Sequence, residues 1–297
     1  MDRVTVSLAN DAQLRSFRMD LRGIAQNHHL TLDESGSSDH QFDFSFHGDV
    51  THSVNVIVRE NGGASLRPPT RGTGPRLAII IDDMGADKKE ADSVLALHFP
   101  VTLSVLPNLP FSQETAEEAH RHEDEVMLHL PMESRGEDEE GGKAKPEPHE
   151  LRVGMAPGEV DSSLTEMLAT VPYASGLNNH QGSRATSNPA LMTALMQSLR
   201  GRNLFFIDSR TTADTVAYET AERFGIRAAS RKVFLDDKLS RAAIAKQLEL
   251  AAGDAQRNGF AIAIGHPHPQ TIAVLVRYAP RLEKRGIVLV FPSELVR

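Results

Sequence analysis

The sequence predicts an α/β protein in which a complete or deformed α/β barrel of seven or eight units, favoured over an open doubly wound sheet, follows a small α+β domain. From residue 76 onward, short apolar segments alternate with segments of helical periodicity, a pattern typical of parallel strands joined by helical crossovers. Several of the apolar segments, such as residues 261–264, are apolar on both faces, as in a sheet that helices cover. The residues before 76 follow a different pattern and close with a stretch rich in Gly and Pro.

A small α+β domain is predicted over residues 1–60. Residues 3–8 predict a strand, and residues 11–27 predict a helix with one apolar face. Residues 42–46 and 54–58 alternate apolar and polar side chains with period two, which predicts two strands with one buried face. We therefore assign the phenylalanines of the first of these two strands to the core. They are Phe42, Phe44 and Phe46.

The barrel domain is predicted over residues 76–297, after a linker at residues 61–75. Its predicted strands are residues 77–81, 101–105, 125–130, 173–177, 204–207, 226–229, 260–264 and 287–291. Its predicted helices lie near residues 87–97, 112–122, 158–170, 188–200, 213–224, 240–257 and 270–284. A polar segment at residues 134–150 predicts a surface loop, which either borders a substrate cleft or is a solvated insertion without a role.

Composition limits the classes of function. A formal net charge of −8 disfavours nucleic acid and anionic membranes as partners, and no glycine-rich phosphate loop follows the first barrel strand. Because the chain has no Cys, a metal site would have to use His, Asp and Glu. No apolar run approaches the roughly 20 residues that span a bilayer. We expect a cytoplasmic protein, or a periplasmic or otherwise extracytoplasmic one if an export signal has been removed.

Polar side chains suited to metal binding or acid–base chemistry follow five of the predicted strands. Asp82 and Asp83 end the first strand, where burying two adjacent carboxylates is costly unless a metal or a reaction uses them. A helix cap is the ordinary alternative for such a pair. The carboxyl ends of barrel strands form one rim at which active sites assemble, so we expect these residues to converge. The others are His129 and Glu133, Asn179, His180 and Ser183, Asp208 and Arg210, and His266 and His268.

Together these residues resemble the divergent polysaccharide deacetylase family, relatives of the enzymes that remove N- or O-acetyl groups from glycans. The likeness covers about residues 75–297. It implies a distorted barrel of about seven strands and a divalent metal, commonly zinc. The motifs that carry it are Ile-Ile-Ile-Asp82-Asp83-Met-Gly, Leu-His129-Leu-Pro-Met-Glu133, Asn-Asn-His180-Gln-Gly-Ser183, Phe-Ile-Asp208-Ser-Arg-Thr211, Val-Phe-Leu-Asp236 and Gly-His266-Pro-His268-Pro.

The resemblance implies a role for each of these residues. Asp82 corresponds to the general base, and Asp83 and His129 correspond to metal ligands. The family's second histidine, four residues after the first, is replaced here by Glu133. Either Glu133 coordinates the metal directly, or His180 supplies the second imidazole. We favour Asp83, His129 and His180, because one carboxylate and two neutral imidazoles leave a divalent site near +1, whereas a second carboxylate would cancel the charge and weaken its effect on bound water.

The remaining motif residues are assigned to proton donation and substrate contact. His266 corresponds to the acid that protonates the departing amine or alcohol, and His268 assists it. Asp208 is expected to orient a metal ligand or the acid histidine. The arginine-containing substrate motif of ordinary deacetylases is absent. Substrate contacts are expected from Asn179, Ser183, Arg210 and Asp236.

Two classes of function follow from the resemblance. The first is a metal-dependent hydrolase that removes acetyl groups from a glycan such as a cell-wall polymer. The second is a catalytically silent, metal-containing glycan-binding or cell-envelope adaptor, with residues 1–70 recruiting a protein partner. A metal-dependent amidase or phosphoesterase on the same scaffold is chemically adjacent to the first.

Overall fold

The computed structural model describes residues 2–8, 17–18, 21–22, 24–26, 28, 30–33, 41–46, 49–58, 73–135 and 149–297. The chain divides into two compact units, residues 1–62 and 63–297. Most of the predicted linker, residues 61–72, and most of the predicted polar loop, residues 136–148, lie outside the described residues.

The first unit contains one four-stranded sheet. Its strands are β1 (Asp2–Leu8), β2 (Thr31–Asp33), β3 (Gln41–Phe46) and β4 (Asp49–Val58), in the spatial order β1-β4-β3-β2. The pair β1 and β4 is parallel and the other two pairs are antiparallel. Helical backbone at residues 17–18, 21–22 and 24–26 falls inside the predicted helix, whereas the three-residue strand β2 was not predicted.

Among the side chains of the first unit that the structure describes, the predicted alternation of buried residues has one exception. Phe42 and Phe44 are buried with Leu21, Ala25 and Val54. The assignment of Phe46 to the core is wrong, because its side chain is 48% exposed. The register of β3 against β4 shifts between Phe44 and Ser45, and such a bulge ends the regular alternation of faces.

The second unit is built on one curled sheet in which every strand pair is parallel. The spatial order is β10-β9-β8-β7-β6-β5-β12-β11, and β13 also pairs with β5. This architecture confirms the predicted deformed α/β barrel. Its strands are β5 (Arg76–Met84), β6 (Thr102–Val105), β7 (Glu125–Met132), β8 (Ala174–Gln181), β9 (Phe205–Asp208), β10 (Ala228–Ser230), β11 (Val233–Phe234), β12 (Phe260–Gly265) and β13 (Val288–Val290).

Helices follow most strands of the barrel, and local signals define where several of them begin. Asp87, Asn188 and Ser240 each accept a hydrogen bond from the first turn of a helix. None of the helices in the described part of the chain combines the length and hydropathy needed to cross a membrane. The helices are α1 (Lys88–Leu95), α2 (Ser112–Arg121), α3 (Pro157–Thr170), α4 (Pro189–Leu199), α5 (Ala217–Arg223), α6 (Arg241–Asn258) and α7 (Pro269–Lys284), and a 3-10 turn spans Pro292–Glu294.

The apolar run of β5 shows why the strands are apolar on both faces. Ile79 and Ile81 pack in the larger core, which includes buried residues of the helices. Ala78 and Ile80 pack in a smaller core built mainly from strand residues. Because successive strand residues point to opposite faces, both faces of β5 must be apolar.

The two edge strands of the curled sheet, β10 and β11, are joined by only two residues. The backbone amide of Arg231 donates to the carbonyl of Asp208, next to β10, with a donor–acceptor distance of 2.9 Å. The next amide, that of Lys232, donates to the carbonyl of Ile262 in β12, also at 2.9 Å. The chain therefore crosses from one edge of the sheet to the other at this point. The short strand β11 was not predicted.

Candidate functional site

The carboxyl ends of strands β5, β7 and β8 bring Asp83, His129 and His180 together. Asp83 Oδ1 lies 3.2 Å from His129 Nε2 and 3.1 Å from His180 Nδ1. The two ring nitrogens are 3.0 Å apart. The three ligand atoms therefore form a nearly equilateral triangle, with the residues buried or half-buried.

The local conformation of β5 allows both aspartates to reach this cluster. In a regular strand, Asp82 and Asp83 would point to opposite faces of the sheet. Asp83 instead has a left-handed backbone with φ of 60°, and the register against β6 shifts between Ile81 and Met84. As a result Asp82 Oδ2 also lies 3.6 Å from His129 Nε2.

The chemistry of this triangle fits a divalent cation. His129 Nδ1 lies 2.9 Å from the amide oxygen of Asn178, which can only accept, so the ring proton is on Nδ1 and the lone pair of Nε2 faces the triangle. Asp83 Oδ1 is buried, and no hydrogen bond of regular geometry reaches it from the described residues. A tetrahedral zinc ion with ligands at roughly 2.0–2.1 Å keeps them roughly 3.3 Å apart, close to the separations here. A single cation would satisfy all three atoms, whereas one proton could bridge only one pair.

The electrostatics of Asp83 agree with this donor set. Burial acts to raise the pKa of Asp83, but the imidazoles of His129 and His180 outweigh it and hold that pKa well below its usual range. Asp83 is therefore an anion in the folded protein, as a metal-binding carboxylate must be.

Glu133, the other predicted ligand, lies outside the triangle. Strand β7 ends at Met132, and the Glu133 carboxylate accepts hydrogen bonds from Arg184 Nη1 and from the backbone amide of Val153, each at 2.8 Å. Both carboxylate oxygens of Glu133 are thus occupied by protein donors. Its assignment as a ligand stays a prediction that this geometry does not favour.

His266 is held beside the triangle by Asp236. His266 Nδ1 lies 2.9 Å from Asp236 Oδ1, and the other carboxylate oxygen accepts from the His266 amide and from Thr271 Oγ1, each at 2.7 Å. His266 Nε2 lies 3.8 Å from Asp83 Oδ2. Burial acts to lower the pKa of His266, but the hydrogen bond and charge of Asp236 outweigh it and raise the pKa to about 9. Asp236, which was predicted to contact substrate, is positioned to orient the ring of His266.

Asp208 occupies a different place from the one expected. It is fully buried, and its carboxylate accepts from the Arg210 amide at 2.8 Å and from Thr215 Oγ1 at 2.9 Å. Burial raises the pKa of Asp208. These contacts order the loop after β9, and within the described part of the chain they involve neither His129 nor His180.

The remaining predicted residues lie at the end of β8 and on the loops around the site. Asn179 is buried and binds the Ser209 amide and the Gln181 carbonyl, each at 2.8 Å. Ser183 Oγ accepts from the Arg135 amide at 3.0 Å, and Arg210 is exposed with φ of 49°. Their assignments as substrate contacts stay predictions. His268 forms a second potential ligand group with Asp236 and His266, whose ligand atoms lie within 4.8 Å of one another.

Asn178 is a site residue that the sequence did not single out. It is fully buried in β8 and contacts both His129 and Asp82. The available signal was its place in the Asn178-Asn179-His180 run, at the carboxyl end of an apolar strand.

Comparison with known proteins identifies relatives over the barrel unit. The model of the family described as divergent polysaccharide deacetylase matches residues 79–296. The uncharacterized protein YibQ of Escherichia coli K12 is 40% identical over 221 residues, covering 74% of this chain and 67% of that protein. An uncharacterized protein of Haemophilus influenzae is 38% identical over 202 residues, covering 67% and 69% of the two chains.

Solved structures support the same fold. Uncharacterized protein ATU2773 from Agrobacterium tumefaciens C58 aligns with a TM-score of 0.72 at 24% identity, covering 77% of this chain and 92% of that one. The catalytic domain of peptidoglycan N-acetylglucosamine deacetylase from Eubacterium rectale aligns with a TM-score of 0.50 at 13% identity, covering 78% and 96%. At these identities the likeness bears on the fold alone.

Proposed function

Because this chain belongs to the divergent polysaccharide deacetylase family, we propose that it is a metal-dependent hydrolase that removes acetyl groups from a glycan. The observation that carries the proposal is the triangle of Asp83, His129 and His180, flanked by the carboxylate of Asp82 and the imidazole of His266. A metal-ligand set with a base and an acid beside it is what hydrolysis of an amide or ester requires.

Asp83, His129 and His180 would hold the cation, which we propose is zinc because two imidazoles and one carboxylate suit it. When bound, the cation would supply Lewis acidity, which polarises the acetyl carbonyl and acidifies a water molecule. One carboxylate and two neutral imidazoles keep a net positive charge at this place. That charge favours the negative oxygen that develops when the carbonyl is attacked.

Asp82 serves as the general base. Its side chain is buried, and both of its oxygens accept from Asn178 Nδ2, at 2.9 and 3.2 Å, so it is held as an acceptor beside the triangle. It takes the proton from the attacking water. Asp82 Oδ2 lies 3.6 Å from Nε2 of the proposed ligand His129, so the base stands beside the place where water would attack the acetyl carbonyl.

His266 serves as the general acid. With a pKa of about 9 it carries a proton at neutral pH, and Asp236 holds Nδ1 so that Nε2 faces the cluster. It gives the Nε2 proton to the departing amine or alcohol, and Asp236 stabilises the ring in the charged form that must be regained. Asp82 and His266 thus divide the two proton transfers between two residues.

The substrate class follows from the family. We propose an acetylated glycan such as a cell-wall polymer, in line with the Eubacterium rectale enzyme, whose substrate is peptidoglycan N-acetylglucosamine. Such a substrate would place the protein outside the cytoplasm. Incubation with acetylated cell-wall fragments, rather than free sugars, is therefore the first choice for assay.

The proposal is tested by acetate release from acetylated oligosaccharides by the zinc-loaded protein. We expect Asp82→Asn to lower the rate by about 10²–10⁴-fold while zinc content is retained, because the substitution removes the base but no ligand. Asp92→Asn, a matched change at an exposed position of α1, should leave the rate unchanged. Glycan binding without acetate release, unaffected by Asp82→Asn, would instead identify the protein as a silent adaptor.

A further inference from the structure

We propose that Asn178 is a positioning residue. Its amide nitrogen orients the general base Asp82, and its amide oxygen orients the metal ligand His129. The inference rests on the proposed function and extends it to a residue that touches neither metal nor substrate. Asn178 contacts Asp82 with its amide nitrogen and His129 with its amide oxygen. One side chain therefore sets the geometry of the base and of a metal ligand together.

The oxygen half of Asn178 determines the state of His129. Oδ1 lies 2.9 Å from His129 Nδ1 and 2.6 Å from Ser104 Oγ. A carboxamide oxygen only accepts, so both neighbours must donate, and His129 keeps its proton on Nδ1. The lone pair of Nε2 is then directed toward Asp83 and His180, as coordination requires.

The nitrogen half of Asn178 determines the orientation of Asp82. Nδ2 donates to Asp82 Oδ1 at 2.9 Å, lies 3.2 Å from Oδ2, and lies 3.2 Å from Ser209 Oγ. An amide nitrogen only donates, so both oxygens of Asp82 are held as hydrogen-bond acceptors at this position. The contact between Asn178 Nδ2 and Ser209 Oγ also connects the base to the loop that follows β9.

The position of Asn178 in the sheet explains why one residue reaches both partners. It lies in β8, opposite His129 of β7 on one side and opposite Ile207 of β9 on the other. Its side chain is fully buried, and its oxygen and nitrogen both have protein partners. The acceptor oxygen and the donor nitrogen of Asn are bonded to the same carbon, so one side chain can contact His129 and Asp82 at once.

The two halves can be tested separately with substitutions of similar size. Asn178→Leu removes both the acceptor and the donor, and we expect it to weaken zinc binding about 10–100-fold in calorimetric titration. Asn178→Asp keeps an acceptor for His129 and Ser104 but places a negative oxygen against Asp82. We expect zinc affinity within about tenfold of the natural protein, and acetate release lowered by at least about tenfold.

Asn179→Leu is the matched control. Asn179 is a similarly buried amide of the same strand, but it binds the Gln181 carbonyl and the Ser209 amide, and neither Asp82 nor a proposed metal ligand, so zinc affinity should change by less than about threefold. The absorption spectrum of the cobalt-substituted protein should change with Asn178→Leu and stay the same with Asn179→Leu. Wild-type zinc affinity in Asn178→Leu, or equal weakening in both leucine variants, would overturn the proposal.

A further measurement keeps the proposal testable if Asn178→Leu fails to fold. Long-range ¹H–¹⁵N spectra of the zinc-loaded natural protein report which ring nitrogen of His129 carries the proton. We expect a protonated Nδ1, and a protonated Nε2 would contradict the role of Asn178. If the natural protein binds zinc but releases no acetate, the proposed function fails. The zinc affinities and the ¹H–¹⁵N spectra of His129 then still test the positioning role of Asn178.

Discussion

At Asp83, a single backbone angle lets two successive carboxylates serve one site. The left-handed φ of 60° is one that Asp adopts more readily than most residues. Gln181 and Arg210, with φ of 52° and 49°, mark two other strand ends near the site. Uncommon conformations of this kind are found where function requires a side chain to leave the regular alternation.

His180, rather than Glu133, is expected to complete the metal site. Zinc titration of His180→Ala should show an affinity reduced by more than about 100-fold, because one of three ligands is lost. Glu133→Gln should bind zinc within about tenfold of the natural protein, because Arg184 and the Val153 amide engage its carboxylate. Loss of zinc in Glu133→Gln alone would reverse this choice of ligands.

The sequence could predict that Asp82, Asp83, His129 and His266 lie close together, because each stands at or next to the carboxyl end of an apolar strand on the common rim. Only a charge argument favoured His180 over Glu133, since spacing alone does not show that β7 ends before residue 133. The sequence also does not show that Asp236, rather than Asp208, lies beside His266. That choice depends on the pairing of β11 with β12, two strands that are neighbours in the sheet but are far apart along the chain.

Glu125 should make the stability of the protein depend on pH. It is buried at the start of β7, and burial raises its pKa from 4.5 to about 7. The folded protein therefore holds this proton more tightly than the unfolded chain. The protonated Glu125 therefore contributes to the free energy of unfolding. This contribution, about 3 kcal/mol, is complete below about pH 4.5 and is lost as the pH rises through about 7.

Urea unfolding of Glu125→Gln between pH 4.5 and 8 tests this contribution. The variant should lack that part of the pH dependence and be the more stable protein above pH 7, since no charge is buried. Exposed Glu166→Gln is the control and should follow the natural protein at every pH. An unchanged pH dependence in Glu125→Gln would show that Glu125 ionises normally.

At the scale of elements, the packing of β8 against β9 depends on Gly176. A Cβ at this position would lie 2.5 Å from carbons of the Phe205 ring, which is fully buried. We expect Gly176→Ala to reduce the free energy of unfolding by about 1–3 kcal/mol, because the ring has no space into which to move. Chemical denaturation measures the change.

Gly158, in the first turn of α3, is the matched control for Gly176. A Cβ there would meet nothing within 4 Å, so Gly158→Ala should change stability by no more than about 1 kcal/mol, in the stabilising direction. Equal destabilisation by both substitutions would show that contact with Phe205 is not the cause.

The long elements of the barrel could be predicted, because their apolar periodicity persists over several turns or strand residues. Helices α6 and α7 begin and end within one residue of the predicted bounds. Strands β2 and β11 have three and two residues, too few for any periodicity, and were missed. The exposure of Phe46 was missed because a bulge leaves no mark in the pattern.

At the scale of the whole barrel, a bound metal should stabilise the folded protein, since its ligands come from β5, β7 and β8 and meet only when these strands are in place. Zinc at 100 times its dissociation constant should add about 2.7 kcal/mol and raise the melting temperature. Thermal unfolding with and without zinc measures the effect. It should vanish in His180→Ala and persist in His98→Ala, a substitution at an exposed histidine.

The direct passage from β10 to β11 has a consequence for the behaviour of the protein in a crowded solution. An open sheet normally offers unpaired amides and carbonyls on which a foreign strand can assemble. Here the outermost strands are three and two residues long, and the intervening amides of Arg231 and Lys232 are already engaged. Too little edge is left to template another chain. The short edge strands of this incomplete barrel therefore disfavour aggregation by strand pairing between molecules.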